Sequence, residues 1–432
     1  MQHKHTGGIK QAEHISEAAR DFAGKGIKSR SGKQRKARFV EIFHHTMSEA
    51  SAFYFILLLV AAVFLIPFTL YLFIETSSKL IAHPELHNLT LTLVVFGLDL
   101  AFSAALIVGL FLLAHRIFTV SGAHRVALCG LTLLADTAVI MCHLMVFGIS
   151  LPLILYGLIA LLLIALHSYW DPQLADERAN RKTQTESLHD MLHDSRDERT
   201  VEKGKVKGHG YITLNFFNLF WIFTICSVLG LVIETIFFYA IHGYYMNRTG
   251  MLFGPFSPIY GFGGLLMTIA LNRLHNRNII LIFIISALIG GAFEYFTSWY
   301  MQTAFGVTAW NYSGTFLSIG GRTNFFFMCC WGLLGVAWIK LALPIMLYFI
   351  KKIPWGWRYT LTTICAILMF FDGFITITTL DCWYLREAGV PVSTPIERYC
   401  AVHYDNEFMK DRFQTMTMNV DSTARTNTLD TQ

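Results

Sequence analysis

The residues best suited to chemistry are five carboxylates that lie within long apolar stretches of the sequence: Asp99, Asp136, Glu234, Glu294 and Asp372. A charged side chain is costly to place in a lipid bilayer, so such residues usually face a partner, water or a bound substrate. Two of them share a spacing, because Glu234 and Glu294 each follow a glycine by four residues. These carboxylates therefore indicate ion pairing, proton transfer or substrate binding inside a membrane.

Two arginines follow the two glutamates along the chain, Arg248 after Glu234 and Arg322 after Glu294. At 1.5 Å of rise per residue, both glutamates fall in the half of their apolar runs that is nearer to these arginines. We therefore expect the two acids and the two arginines to line one cavity. The alternative is that Glu–Arg pairs only fix loops to helices, since a buried ion pair satisfies itself without a ligand.

The composition places these residues in a membrane protein. Hydrophobic residues make up 54% of the chain and charged residues 15%, and the mean hydropathy is +0.48. Soluble domains carry about 25% charged residues. A net charge of +5 is too modest to indicate nucleic-acid binding. The first apolar run follows a long polar segment, residues 1–50, which is not the pattern of a signal peptide.

Apolar runs long enough, or nearly so, to cross a bilayer occur at 53–74, 89–114, 126–147, 151–166, 214–241, 256–271, 279–301, 325–343 and 359–380. The fourth and sixth runs are short. We predict an all-α, polytopic membrane helical bundle of about nine transmembrane helices. The predicted domains are a basic tail (1–50), a four-helix module (51–169), a charged linker (170–211), a five-helix permease-like domain (212–380) and a C-terminal tail (381–432).

The distribution of basic residues predicts the orientation, because cytoplasmic loops are enriched in Lys and Arg. Residues 1–50 and the linker 170–211 are rich in both, whereas the loops on the other side carry only Lys79, Arg248 and Arg322. The N-terminus is therefore expected in the cytoplasm and the tail 381–432 outside. If the short sixth run were re-entrant, the tail would return to the cytoplasm. Cys382 and Cys400 in that tail could pair outside and would be free thiols inside.

Two local patterns resemble ligand-binding motifs without having their essential residues. The HDMLH sequence (189–193) has Asp190 where the zinc-protease motif has Glu, and GKGIKSRSGKQ (24–34) lacks the spacing and the final Ser or Thr of a P-loop. The eight cysteines show no metal-ligand spacing either. We therefore predict no metal, no cofactor, no catalytic set and no ATP site, and we expect the basic N-terminal segment to contact anionic lipid.

The sixth apolar run is preceded by helix-breaking residues, Gly254, Pro255 and Pro258. Non-helical backbone is tolerated at membrane depth only where protein or a wet cavity satisfies its polar groups. The sequence therefore predicts a broken helix that lines a cavity, to which Tyr260 would add a hydroxyl; the alternative is a tight loop before an ordinary helix. The shared Gly-to-Glu spacing also suggests a duplicated hairpin, as some transporters have.

Several of these segments belong to one larger pattern: LGLVIET (229–235), NRTGMLFGPFSPIYGFGGLL (247–266), ISALIGGAFEYFTSW (285–299), AWNYSG (309–314), GGRTNFFFMCCWGLLG (320–335) and YDNEFMKDRF (404–413). Over about residues 211–418 the chain resembles the family of type IV ABC-transporter permeases. The resemblance implies a permease subunit that works with a separate ATPase. It also implies a set of candidate binding residues: Glu234, Arg248, Tyr260, Glu294, Asn311, Tyr312 and Arg322.

Three functions are compatible with these patterns. The leading hypothesis is a permease subunit of the cell membrane whose partners are lipids and an ATPase, with a substrate that the sequence does not specify. The second is a membrane-embedded enzyme for a lipid-linked substrate, with Glu234 or Glu294 as acid or base. The third is a membrane scaffold or sensor that transports nothing.

Overall fold

The computed structural model describes residues 53–82, 88–116, 122–170, 211–212, 214, 216–353 and 355–426. Regular structure in these residues is almost entirely helical, which confirms the predicted all-α class. The helices are α1 (Phe53–Ala82), α2 (Leu89–Arg116), α3 (Gly122–Phe147), α4 (Pro152–Trp170), α5 (Phe216–His242), α6 (Pro258–Leu271), α7 (Ile279–Phe305), α8 (Phe325–Ala337), α9 (Leu343–Lys351), α10 (Trp355–Glu387), α11 (Pro395–His403) and α12 (Asn406–Arg412). The HDMLH sequence and the basic N-terminal segment lie outside the described residues.

A single π-helical stretch, Trp338–Ala342, joins α8 to α9. Pro344 follows at once, and a proline in a helix lacks an N–H and collides with the carbonyl four residues earlier. The wider π turn gives the chain room at this point. As a result α8 and α9 form one apolar span, Phe325–Ile350.

Seven of the described helices are long and apolar enough to cross a membrane. Two shorter apolar helices, Pro152–His167 and Pro258–Leu271, correspond to the two runs that are short in the sequence. A multi-pass membrane bundle is therefore confirmed. The count of nine stays a prediction, because it depends on these two helices.

The C-terminal segment 395–426 folds onto one end of the bundle, which we call the tail end. Asn88, directly before α2, donates to the carbonyl of Asp421, and Thr426 N donates to Val146 O near the end of α3 at 2.9 Å. Ala424 N donates to Thr303 O near the end of α7 at 3.1 Å. A two-stranded pairing of β1 (Val307–Thr308) with β2 (Thr417–Met418) adds to these contacts. The same end therefore holds the start of α2 and the ends of α3 and α7.

The opposite end of the bundle, which we call the linker end, is marked by Tyr211 N donating to Asn272 O at 2.9 Å. This bond joins the chain before α5 to the residue after α6. The short helix α6 therefore reaches the same end from which α5 starts. The sequence-based orientation would place the linker end in the cytoplasm and the tail end outside, and that assignment stays a prediction.

Arg425 lies at the centre of the packed tail. Its side chain is fully buried, forms an ion pair with Asp381 of α10, and donates from Nε to Ala304 O at 2.6 Å. Gly148 leaves room for it, since this residue has a φ of +69° and a Cβ there would overlap the guanidinium. The tail is therefore anchored to α3, α7 and α10 at once.

The two tail cysteines lie close together as free thiols, with both side chains buried. The hydrogen bond from Cys382 lowers the pKa of Cys400. The two thiols are therefore neighbours, and their pairing stays a prediction.

One buried cluster crosses the predicted domain boundaries. It combines Val95 and Val146 of the first four helices with Leu252, Phe305 and tail residues such as Phe413. The first four helices also have a core of their own, and α5 to α9 share another. The division into an N-terminal module and a permease-like domain stays a prediction, but the two parts share apolar packing at the tail end.

Candidate functional site

The short helix α6 starts deep inside the bundle. Ser257 N, directly before α6, donates to Ser227 O at 3.1 Å. Ser227 lies eleven residues into α5, which is about 16 Å along a helix of about 40 Å. The chain from 243 to 257 therefore descends from the tail end to mid-depth without helical structure, as the predicted broken helix requires.

Side chains from other elements satisfy the backbone of this non-helical segment. Leu252 N donates to Thr376 Oγ1 at 2.8 Å, and Phe253 N donates to Asp372 Oδ1 at 3.0 Å. The Arg412 guanidinium donates to the carbonyls of Met251 and Gly254, at 2.8 and 2.9 Å. Because α10 and the tail supply these partners, an irregular backbone can persist at this depth.

Glu234 and Arg248 form an ion pair, as in the alternative interpretation of the sequence. Arg248 Nε lies 2.6 Å from Glu234 Oε1, and both side chains are only about one-fifth exposed, at 20% and 23%. The guanidinium also lies over the Phe238 ring, 4.7 Å from its centroid. The pair ties the non-helical segment to α5.

Glu294 has hydroxyl partners instead of an arginine. Its oxygens accept from Tyr312 Oη and from Thr323 Oγ1, each at 2.9 Å, and the residue is 6% exposed. Arg322 turns away, with Nη1 at 3.4 Å from Ser298 Oγ and its guanidinium carbon 5.9 Å from the Tyr295 ring centroid. The alternative interpretation, in which Glu–Arg pairs fix the loops to the helices, therefore does not hold for Glu294. The 306–324 loop places the hydroxyls of Tyr312 and Thr323 against this carboxylate, so Arg322 does not contact it.

Two tyrosines connect the glutamates. The Tyr260 hydroxyl lies near the carboxylates of both Glu234 and Glu294. Tyr312 donates a hydrogen bond to Glu294, and its hydroxyl is also within electrostatic range of Glu234. Burial, followed by the neighbouring Glu294, raises the pKa of Tyr312 well above its usual value. Five of the seven candidate residues, Glu234, Arg248, Tyr260, Glu294 and Tyr312, thus form one cluster.

Asn311 and Arg322 lie outside this cluster. Asn311 Oδ1 accepts from Ser313 N at 2.9 Å, so its side chain shapes a turn in the 306–324 loop. The carbonyl of Arg322 accepts from Trp310 Nε1 at 2.8 Å, which fixes the same loop. Both residues therefore shape the loop that delivers Tyr312 and Thr323 to Glu294.

Comparison with known proteins gives one match. Residues 221–377 match the family model described as "Putative ABC-transporter type IV". The resemblance found in the sequence is thereby confirmed for most of α5 through most of α10, which we call the family segment. The seven apolar helices of spanning length indicate a multi-pass membrane protein, and the family segment resembles a transporter family. Searches of curated proteins and of solved structures give no significant match.

The family segment contains two hairpins that pack alike. In the first, Gly230 of α5 faces the Tyr260 ring and Ser227 faces Gly261 of α6. In the second, the corresponding contacts of α7 with α8 are Gly290 with Trp331 and Ser286 with Gly335. In both, the returning helix starts at the depth of the glutamate cluster. The packing supports the duplicated hairpin that the sequence suggested.

A cleft of about 360 Å³ is present beside the cluster. Its polar lining consists of Thr235, Tyr245, Asn247, Arg248, Thr249 and Arg412. The cavity expected from the sequence was to be lined by Glu234, Glu294, Arg248 and Arg322, and only Arg248 lines this one. Glu234, Glu294 and Arg322 do not line this cleft, and the cavity expected from the sequence stays a prediction.

Sequence reasoning missed three residues that hold this site together: Asp372, Thr376 and Arg412. Asp372 was noted as a buried acid but was not connected to the broken helix. Arg412 lies outside the family segment, although it is within the quoted YDNEFMKDRF sequence. A Gly/Pro-rich segment at membrane depth has backbone N–H and C=O groups that no helix satisfies. That need is the sequence signal that indicates polar partners elsewhere in the chain.

Proposed function

We propose that this protein is the membrane-spanning permease subunit of an ABC-type transporter and that a separate ATPase drives it. The observation that carries the proposal is the non-helical segment 243–257 before α6, which borders a polar cleft beside the glutamate–arginine–tyrosine cluster in the family segment. Transporters commonly build their binding sites near mid-membrane from such broken helices. We further propose that it resides in the cell membrane with its N-terminus in the cytoplasm.

The cleft favours a polar or anionic solute. Arg248 and Arg412 both line it, and Asn247 and Thr249 add neutral polar groups. Arg248 is held by Glu234, so a ligand that competes for this arginine would break one of the contacts that hold the 243–257 segment to α5. Binding would in this way be coupled to movement of the segment that separates the cleft from the glutamate cluster.

The ATPase would dock at the linker end. The turn between α6 and α7 lies there and exposes Arg273 and Arg277. The predicted cytoplasmic linker 170–211 joins the bundle at the same end. A basic surface of this kind suits an acidic docking face on the ATPase, because charge complementarity guides association.

Affinity purification from native membranes tests the proposal directly. The expected result is that an ATPase subunit is retained and that ATP hydrolysis drives solute flux in proteoliposomes. Retention of a different stable partner, with no ATPase, would instead support a scaffold or sensor. Turnover of a lipid-linked substrate by the purified chain alone would support an enzyme.

Glu294→Gln tests the glutamate cluster. Gln keeps a carbonyl oxygen that can accept from Tyr312 or Thr323, so the thermal stability in detergent should change little. Transport should nevertheless be lost if the carboxylate takes part in it. Glu75→Gln is a suitable control, since Glu75 lies on α1, outside the family segment, and the side chains of its ion pair with Lys79 are about one-third exposed, at 31% and 38%. A large fall in stability for Glu294→Gln would indicate a purely structural carboxylate.

A further inference from the structure

Four buried polar side chains lie between α2, α3 and α4, outside the family segment. They are Asp99 on α2, Asp136 and His143 on α3, and Tyr156 on α4, and each is at most 2% exposed. The Tyr156 hydroxyl is within electrostatic reach of both aspartates. His143 lies against the same tyrosine, with a ring centroid distance of 5.7 Å. These residues therefore form one group centred on Tyr156.

The group has hydrogen-bonding capacity that its surroundings do not use. Oδ1 of Asp99, both carboxylate oxygens of Asp136 and Nδ1 of His143 have no hydrogen-bond partner among the described residues. The Tyr156 hydroxyl has only Ser103 of α2 within reach in the part of the chain that the structure describes. None of the ion pairs found in the described part of the chain involves either aspartate. An isolated buried carboxylate is too costly to keep ionised, so it takes up a proton or another cation.

The two aspartates lie at matching depth. Asp99 is about 15 Å along α2 from Leu89, and Asp136 is about 16 Å along α3 from Phe147. Because α2 starts and α3 ends at the tail end, both carboxylates lie near the middle of the bundle. An acidic residue at that depth is by default a candidate for proton or ion handling.

A path of polar groups leads from the tail end to this depth. Ser150, in the loop between α3 and α4, lies 2.8 Å from Nε2 of His143. His143 and Tyr156 are each about 6 Å from the tail end of their helices, and the aspartates come next. Ser150 is partly exposed, so the path opens at the surface of the bundle.

The surroundings favour a proton over a metal ion. No three His, Cys, Asp or Glu side chains among the described residues come together as metal ligands. Two further titratable groups lie near the site: Cys142 of α3 is close to Asp99, and Tyr300 of α7 is close to Cys142. The nearest charged pair, Asp381 and Arg425, lies beside Gly148 at the mouth of the path and is internally neutralised.

We propose that Asp99 and Asp136 each bind a proton within the N-terminal helices, with Ser150, His143 and Tyr156 as the route from the tail end. This site is separate from the cleft of the family segment and would let proton binding influence the first four helices independently of that cleft.

Dicyclohexylcarbodiimide tests the proposal on the purified full chain in detergent. A protonated carboxyl adds across a C=N bond of the reagent, giving its proton to one nitrogen and its oxygen to the central carbon. The adduct rearranges to a stable N-acylurea without losing a group. Peptide mapping by mass spectrometry should find the adduct on Asp99 or Asp136. Its yield should fall by about tenfold or more as the pH is raised from about 6 to about 9.

Asp381 is the matched control, because it is a buried carboxylate that is paired with Arg425 and should stay unmodified throughout. Asp99→Asn and Asp136→Asn should each remove the adduct at the altered position. If either variant fails to fold, the labelling of the wild-type chain still decides the matter. No adduct on either aspartate, or a yield that does not change with pH, would overturn the proposal. Protection by sodium but not by choline at constant pH would also overturn it, since the site would then bind a metal cation.

Discussion

Replacing Arg425 with Met should cost more stability than almost any other single change in the tail. The side chain is fully buried and holds Asp381 of α10 while donating to Ala304 O at 2.6 Å. Met preserves much of its length and apolar bulk but removes the charge. Asp381 would then be a largely buried carboxylate without its counter-charge.

The expected loss follows from that uncompensated charge. Removing one partner of a buried ion pair costs about 3–5 kcal/mol. The Lys410–Glu387 pair offers a matched control on the same tail, because its lysine side chain is 65% exposed. Lys410→Met should cost no more than about 1 kcal/mol, since solvent screens an exposed pair.

The assay is unfolding of the purified protein by increasing sodium dodecyl sulfate, followed by tryptophan fluorescence. The double variant Arg425→Met/Asp381→Leu should regain much of the lost stability, because apolar groups can replace a buried pair without penalty. If Arg425→Met and Lys410→Met behave alike, the tail is not anchored by this pair. If the double variant is no better than Arg425→Met, the loss comes from packing and not from charge.

Three further predictions concern the tail end. Gly148→Ala should strongly destabilise the protein, because the new Cβ would overlap the Arg425 guanidinium. Gly243→Ala is the control: its φ of +76° is similar but the space around it is open, so it should cost only about 1 kcal/mol. Thermal melting of the two variants compares these costs. A fragment of residues 205–432 should melt well below the full chain, since it loses the first helices' share of the common cluster, and equal melting would show that the two parts are independent. Val402→Cys, at a position that is 74% exposed, should react with an impermeant maleimide on intact cells. Asn276→Cys, at the linker end, should react only after the cells are permeabilised. The reverse pattern would show that the tail end faces the cytoplasm.

The sequence by itself determined the class of the protein and much of its helical framework. In lipid, a helix satisfies the backbone N–H and C=O groups of a long apolar run within the run itself. The apolar runs of the sequence and the helices of the structure therefore coincide closely. The two runs that are short in the sequence are the two short apolar helices of the structure. The Gly/Pro-rich entry to α6 also predicted a broken helix, because glycine and proline act on the local backbone. The Glu234–Arg248 pair is fourteen residues apart in one hairpin, and local geometry suffices to predict it.

Contacts between distant parts of the chain were decided only by the tertiary structure. Arg322 was expected near Glu294, yet the folding of the 306–324 loop supplies Tyr312 and Thr323 hydroxyls instead. Arg412 reaches the broken helix from about 160 positions away in the sequence, and no periodicity encodes that separation. The tail's position against α3, α7 and α10 is likewise set by which groups remain unsatisfied when the helices pack. Apolar patterning is a property of each segment, whereas partners for buried polar groups are a property of the assembled bundle.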